Sequence, residues 1–177
     1  MSQEQVFTME FGVGACKKVA IFDEADRKAL SAMSWRVRRD AERPYVVSKG
    51  AKTVIAHRFL TGALPGEKVD HINGNTLDNR RANLRRCTNA QNIRNSRKYR
   101  SGSVSQYKGV TTSRGQWRAQ ICCDYKKYNL GTFATEEEAA MAYDREAVKR
   151  FGGFARLNFS SKDLAGSKTT DRREACK

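Results

Sequence analysis

The sequence predicts an α+β chain made of two small mixed modules joined by a basic linker. Three observations lead there. Apolar residues come in short runs of strand length, several of them alternating with polar residues, as in Trp35-Arg36-Val37-Arg38 and Trp117 to Cys122. Two pairs with capping-box spacing, Thr88 with Gln91 and Thr135 with Glu138, each open a helix. Between them the stretch from Arg94 to Gln106, which contains RKYRSGSVSQ, has no apolar periodicity and reads as an extended linker, with the domain boundary near 100–106. A hydrophobic content of 39% and a mean hydropathy of −0.72 allow only modest cores, in one domain or two small ones.

In chain order, Val19-Ala-Ile-Phe22 reads as a strand, and Asp23 can cap a helix reaching about Met33, with Glu24 and Asp26 in its first turn. Trp35 and Val37 belong to a half-exposed strand. Tyr45-Val46-Val47 and Val54-Ile55-Ala56 follow as two more strands around a Lys49-Gly50 turn. Residues 1–60 thus form a small supporting α/β region. Thr61 to Gly66 is a turn, and Val69 leads into Asp70-His71 at a strand end. An Asn/Gly-rich loop follows, and Asn83 to Cys87 returns as a strand. Asn92 falls in the first turn of the helix begun at Thr88, where the helix dipole attracts phosphate.

Residues 107–159 read as a second module. Tyr107 to Val110, Trp117 to Cys122 and Lys126 to Phe133 form a three-stranded antiparallel meander, with turns at Arg114-Gly115 and Asp124-Tyr125. A helix from Thr135 to about Arg150 offers Ala139, Ala140, Ala142, Tyr143 and Ala147 to the sheet, and Gly152-Gly153 ends it. Residues 160–177 are a polar tail, expected to be disordered.

The net charge of +15 points to a polyanionic partner. The excess is local. Residues 1–47 hold eight basic and seven acidic side chains, whereas residues 76–105 hold eight basic and one acidic. No apolar run approaches membrane-spanning length, and no basic amphipathic helix stands out. None of the cysteines (Cys16, Cys87, Cys122, Cys123, Cys176) forms a C-x-x-C pair, which argues against a zinc ribbon. Their odd number, with no N-terminal signal peptide, suggests reduced thiols in a cytoplasm, all five structural or incidental.

Chemistry concentrates in VDHINGNTLDNRRANLRRCTNAQNIRN (69–95). Asp70 supplies the carboxylate oxygen that Mg²⁺ or Mn²⁺ prefers. His71 has the side chain whose ordinary pKa suits proton abstraction near neutrality. Asn92 offers a neutral oxygen, leaving a bound metal electron-poor. In residue types and intervals, from 71 to 83 and from 83 to 92, this stretch resembles the HNH endonuclease motif, the ββα-metal fold. The resemblance implies that Asp70 and Asn92 bind one divalent metal, that His71 activates water and that Asn83 steadies the loop. The products it implies are a 5′-phosphate and a 3′-hydroxyl. His57-Arg58 is similar to the end of the leader in phage-type HNH proteins. His57 is a secondary candidate, either touching substrate or metal or serving as a structural histidine in a strand. Arg85 or Arg86 is expected to clamp the phosphate. On this reading the HNH unit covers 61–99 and the linker 100–106.

The second module resembles the plant APETALA-two/ethylene-response-factor (AP2/ERF) DNA-binding domain through YKGV (107–110), WRAQI (117–121), LGTF (130–133), TEEEAAMAYD (135–144) and LNF (157–159). The resemblance implies a sheet lying in the DNA major groove, with Lys108, Arg114, Gln120 and Lys127 as contacts. Arg118 joins them because it shares a face with Gln120. Thr111, Cys122 and Asn129 replace contacts typical of the plant domain, so its target sequence is not expected to carry over. Arg85, Arg86, Arg94, Arg97 and Lys98 are further candidates for DNA binding. The expected whole is a phage or mobile-element, homing-type endonuclease that needs one Mg²⁺ or Mn²⁺. Its partner is double-stranded DNA, with no membrane and no small-molecule cofactor, and it acts as a monomer that nicks or a dimer on DNA. The alternatives are a DNA-binding regulator with an inactive HNH core and a packaging factor that binds by charge.

Overall fold

A computed structural model describes residues 5–12, 14–38, 43–98 and 104–160. The chain divides into two compact units, Met1–Ser96 and Arg97–Lys177. Of the expected linker, residues 100–103 lie outside the described residues, as do 161–177 of the expected tail and Cys176. The other four cysteines are free thiols. Among the described residues no helix is long and apolar enough to cross a membrane.

The N-terminal unit contains three two-stranded antiparallel sheets. The first pairs β1 (Val6–Phe11) with β2 (Lys18–Asp23). The sequence reading found β2 and missed β1, although Phe7, Met9 and Phe11 alternate with more exposed neighbours. Phe7 stacks on Phe22 with ring centroids 5.5 Å apart. The helix expected from Asp23 to Met33 is shorter: a 3-10 turn over Glu24–Asp26 leads into α1 (Arg27–Ser31). Asp23 makes no side-chain cap there, because its carboxylate accepts from the Arg81 backbone N–H at 2.7 Å. The second sheet pairs β3 (Trp35–Arg38) with β4 (Tyr45–Ser48). Val54-Ile55-Ala56 is not a strand. Ile55 makes a single bridge to Val47, and α2 (Ala56–Thr61) begins directly after it. Ala56 is fully buried there, so tertiary packing overrides the β preference of the preceding residues.

The third sheet pairs β5 (Lys68–His71) with β6 (Leu84–Cys87), and α3 (Asn89–Arg94) follows. The expected capping box is present: the Thr88 hydroxyl accepts from Gln91 N–H, and the Gln91 side chain accepts from Thr88 N–H. One core of Phe7, Ala20, Phe22, Leu30, Trp35, Val46, Ala56, Leu60 and Leu84 draws on all three sheets, α1 and α2.

The C-terminal unit is a three-stranded antiparallel sheet in the order β7 (Val110–Ser113), β8 (Gln116–Cys123), β9 (Lys126–Phe133), packed on α4 (Glu136–Phe151). Its helix carries the second expected capping box, at Thr135 and Glu138. Positive φ at Arg114, Gly115, Asp124 and Tyr125 gives the two hairpin turns a backbone twist that matches the strands. The first strand starts later than expected. Lys108 N–H donates to Asn158 Oδ1 at 2.7 Å and its carbonyl accepts from Asn158 Nδ2 at 3.1 Å, so Lys108 is held by the segment after the helix, while the Gly109 carbonyl still accepts from Gln120 N–H of β8 at 2.8 Å. A bulge where Ala119 and Gln120 pair with Gly131 and Asn129 lets Leu130 join the core.

Gly109 is closely enclosed by the Tyr143 ring. It has φ +79°, and a Cβ there would lie 1.9 Å from Tyr143 Cδ2. Gly109→Ala combines a left-handed backbone with overpacking and is expected to cost about 3 kcal/mol or more. Thermal unfolding followed by circular dichroism would show a clear fall in Tm; an unchanged Tm would contradict the packing.

Candidate functional site

The end of β5 places Asp70 and His71 side by side, 6% and 5% exposed. In the β5–β6 register Asp70 lies opposite Arg85 and His71 opposite Leu84. Arg85 donates to Asp70 Oδ2 from Nε at 2.9 Å and from Nη2 at 2.7 Å. From the C-terminal end of α3, Asn95 Nδ2 donates to both Asp70 oxygens at 2.9 Å and to the His71 carbonyl at 3.0 Å. Asn92, one turn earlier on that helix, is half-buried, and its carboxamide has no hydrogen-bond partner among the described residues.

His71 sits in an aromatic group. Its ring meets that of His57 edge-on, with centroids 5.0 Å apart, and Tyr45 lies 6.5 Å away. Its Nε2 faces Asn79 Oδ1 at 3.5 Å, the outer limit of a hydrogen bond. Burial lowers the His71 pKa, against the opposing pull of Asn79, Asp70 and Asp78, and so favours the neutral imidazole that can accept a proton. His57 lies in the first turn of α2, not in a strand. Burial, His71 and Arg58 push its pKa down to about 3.

The Asn/Gly loop exposes Asn73 and Asn75 at its tip and folds its returning side into a buried polar network. Asp78, Asn79 and Asn83 are 2%, 1% and 7% exposed. Asn83 spans the loop, with Oδ1 accepting from Asn73 N–H at 2.9 Å and Nδ2 donating to the Asp78 carbonyl at 2.8 Å. Asp78 accepts from Arg80 Nε and Nη2 and from Asn73 Nδ2, and the Arg80 contacts lower its pKa most. The loop is moored to the N-terminal hairpin. Ile21 N–H donates to the Leu77 carbonyl at 2.9 Å and the Ile21 carbonyl accepts from Asn79 N–H at 2.8 Å, and Arg81 grips the buried Asp26 carboxylate through Nε and Nη2.

The expected cationic contacts separate. Arg86 is committed to the C-terminal end of α2, where its Nε donates to the Thr61 carbonyl at 3.0 Å and its Nη2 to Gly62 at 2.9 Å. Of the two arginines, Arg85 is the one at the carboxylate. Arg94 is half-buried on α3, and Arg97 is exposed at the start of the second unit. Lys98 is not a free surface charge: its Nζ donates to the Tyr107 carbonyl at 2.7 Å and to Val110 at 3.3 Å. In the second unit Arg114 and Lys127 are exposed. Arg118 and Gln120 are half-buried and alternate with the buried Ala119 and Ile121, so they share the outer face. Arg118 bonds Ser113 Oγ, and its buried Nε has no hydrogen-bond partner among the described residues. Lys108 is half-buried, and burial together with Arg156 pushes its pKa down to about 8.

Sequence reasoning missed Asn95, Asn79, Tyr45, and the pair of Asp26 and Arg81. Asn95 had a usable signal, since it stands three residues after Asn92 on the same helix face. Tyr45 and Asp26 come from segments distant in sequence, and Asn79 and Arg81 lie within the motif stretch, where nothing distinguishes them from its other Asn and Arg residues.

Residues 51–94 match the family model of the HNH endonucleases. The chain is 32% identical over 121 residues to an uncharacterized HNH endonuclease of Acanthamoeba polyphaga mimivirus, covering 64% of this chain and 62% of that protein. It is 54% identical over 46 residues to dehydration-responsive element-binding protein 2E of Arabidopsis thaliana, covering 26% of this chain and 18% of that one. With the AP2-like ethylene-responsive transcription factor TOE2 of the same plant, identity is 43% over 72 residues, covering 40% of this chain and 15% of TOE2. The chain therefore spans about three-fifths of the viral relative and under a fifth of either plant protein.

Asn95→Ala removes donors from a buried carboxylate and is expected to cost about 1–3 kcal/mol in urea unfolding. The His57 ring takes up no proton in the folded state until pH nears 3, whereas the unfolded chain takes one up near 6.5. Its contribution to stability is thus complete above pH 6.5 and is lost as pH falls toward 3. His71 adds in the same direction, while Asp78 begins to protonate only below its ordinary 3.8. Unfolding measured between pH 7 and 4 is expected to show a slope that His57→Phe reduces; an unchanged slope would contradict the burial of His57.

Proposed function

We propose that the chain is a divalent-metal-dependent endonuclease that hydrolyses phosphodiester bonds of double-stranded DNA, held on its substrate by the C-terminal unit. The observation that carries this reading is the convergence of Asp70, His71 and α3 inside the segment that matches the HNH endonuclease model. The donors suit a hard cation: one carboxylate oxygen from Asp70, with the unpartnered Asn92 carboxamide on the adjoining helix. Among the described residues no three His, Cys, Asp or Glu side chains gather as a metal set, so a site here relies on one carboxylate and neutral oxygens. When bound, Mg²⁺ or Mn²⁺ supplies charge neutralisation at the phosphate and the leaving 3′ oxygen.

His71 is the base. It takes a proton from water as the water oxygen attacks phosphorus in line; the P–O3′ bond breaks and the 3′ oxygen regains a proton, leaving a 5′-phosphate and a 3′-hydroxyl. Asn83 and Asn79 hold the loop and the imidazole in register. Arg114, Arg118, Gln120 and Lys127 on the outer side of the C-terminal sheet contact DNA, and Arg97 adds sequence-independent attraction. The plant relatives' names describe an element-binding protein and transcription factors, which supports a DNA role for this unit.

Supercoiled plasmid incubated with Mg²⁺ is expected to be nicked or linearised, and EDTA to stop the reaction. His71→Ala is expected to lose about 10²–10⁴-fold in rate while retaining DNA binding. A clean footprint without cleavage by the unaltered chain would instead favour a DNA-binding protein on an inactive core.

A further inference from the structure

We propose that Arg85 occupies the cation position on Asp70 in the metal-free protein and passes to the DNA phosphate when metal arrives, so that metal and DNA bind cooperatively. The inference rests on the metal-site reading above and adds a coupling that this reading does not contain. Arg85 and Asp70 are cross-strand partners, so the strand register itself brings the guanidinium to the carboxylate. Two of its nitrogens lie on the same oxygen, Oδ2, at 2.9 and 2.7 Å. The pair is well covered, with side chains 19% and 7% exposed, so Asp70 without a cation would be an uncompensated buried charge. Asn95 cannot supply that charge, because its amide is neutral.

A divalent ion on Oδ2 needs the lone pairs that Arg85 now uses, and it repels the guanidinium. Arg85 is all donor, and its planar fork matches a phosphate as well as a carboxylate. The displaced guanidinium therefore finds its next anion in the scissile phosphodiester. Arg86 cannot take this part, because it is spent on the α2 carbonyls and lies near Glu67. Arg85 is then a positioning residue that sets the order of assembly: in the absence of DNA it opposes metal uptake, and in its presence it favours it. Linkage makes the effect reciprocal, so metal must raise DNA affinity by the same factor.

The test is Mn²⁺ binding to the full chain, read by electron paramagnetic resonance of the free ion. It is run with and without duplex DNA in a His71→Ala background that prevents cutting. Without DNA, Arg85→Gln is expected to bind Mn²⁺ about tenfold more tightly than the parent, while Arg85→Lys, which keeps the charge, stays close to it. With DNA, the parent's Mn²⁺ affinity is expected to rise by about 5–150-fold, a gain that Arg85→Gln largely loses. A cooperative thermal transition confirms that each variant is folded, and Arg85→Met, which keeps the aliphatic stem, replaces Gln if that variant fails. Unchanged or weaker Mn²⁺ binding by the neutral variant would make Arg85 a fixed strut and overturn the exchange. No Mn²⁺ binding by any form would overturn the metal site, and the exchange with it.

Discussion

A carboxylate removed from water must have its charge and its lone pairs met, and Asp70 is met from two sides at once. Arg85 reaches it across the β5–β6 ladder, and Asn95 reaches it from the end of α3. Arg85 thus ties β6 to β5, and Asn95 ties the end of α3 to β5, in a corner where Leu84 is the buried core member contributed by β6. The position of Asn92 follows from the same tie, because Asn95 is the C-cap of the short helix that carries Asn92. A six-residue helix has little stability of its own, so its placement depends on the capping box at Thr88 and on the Asn95 anchor.

The loop between β5 and β6 obeys the same rule. Burying Asp78, Asn79 and Asn83 would be costly without partners, and each has them inside the loop or on the N-terminal hairpin. The hairpin is thus more than a neighbour. Asp23 and Asp26 hold Arg81 from outside the loop, and Ile21 extends the backbone bonding into it. A small core can hold such a polar segment rigidly because its hydrogen bonds, not its apolar area, define the geometry.

In the C-terminal unit the organising group is Asp144, which is fully buried on α4. It accepts from Asn158 N–H and Nδ2 and from Phe159 N–H, and Asn158 in turn clasps the Lys108 backbone. The helix, the segment before β7 and the segment after α4 are closed into one piece by that chain of bonds. The bulge near Gly131 keeps Gln120 beside Asn129 and Cys122 beside Lys127 on the outer face of the sheet.

The sequence by itself determined what local rules govern. Alternation marked β3 and β8, Ser/Thr and Glu/Gln spacing marked the starts of α3 and α4, and turn residues marked both hairpins of the second unit. The adjacency of Asp70 and His71 and the intervals to Asn83 and Asn92 were equally legible, because a motif is a pattern along the chain. Where local and tertiary preferences compete, the sequence misled: Val54 to Ala56 has strand residues but feeds a helix whose buried face meets the core, and Asp23 has a cap's chemistry but serves Arg81. Only the tertiary structure decided that Arg85 rather than Arg86 faces Asp70, since two adjacent arginines look alike until strand pairing sends them to opposite faces. It alone brought His57 to His71 and Asn95 to Asp70, because contacts across 14 and 25 residues arise from packing, which no periodicity encodes.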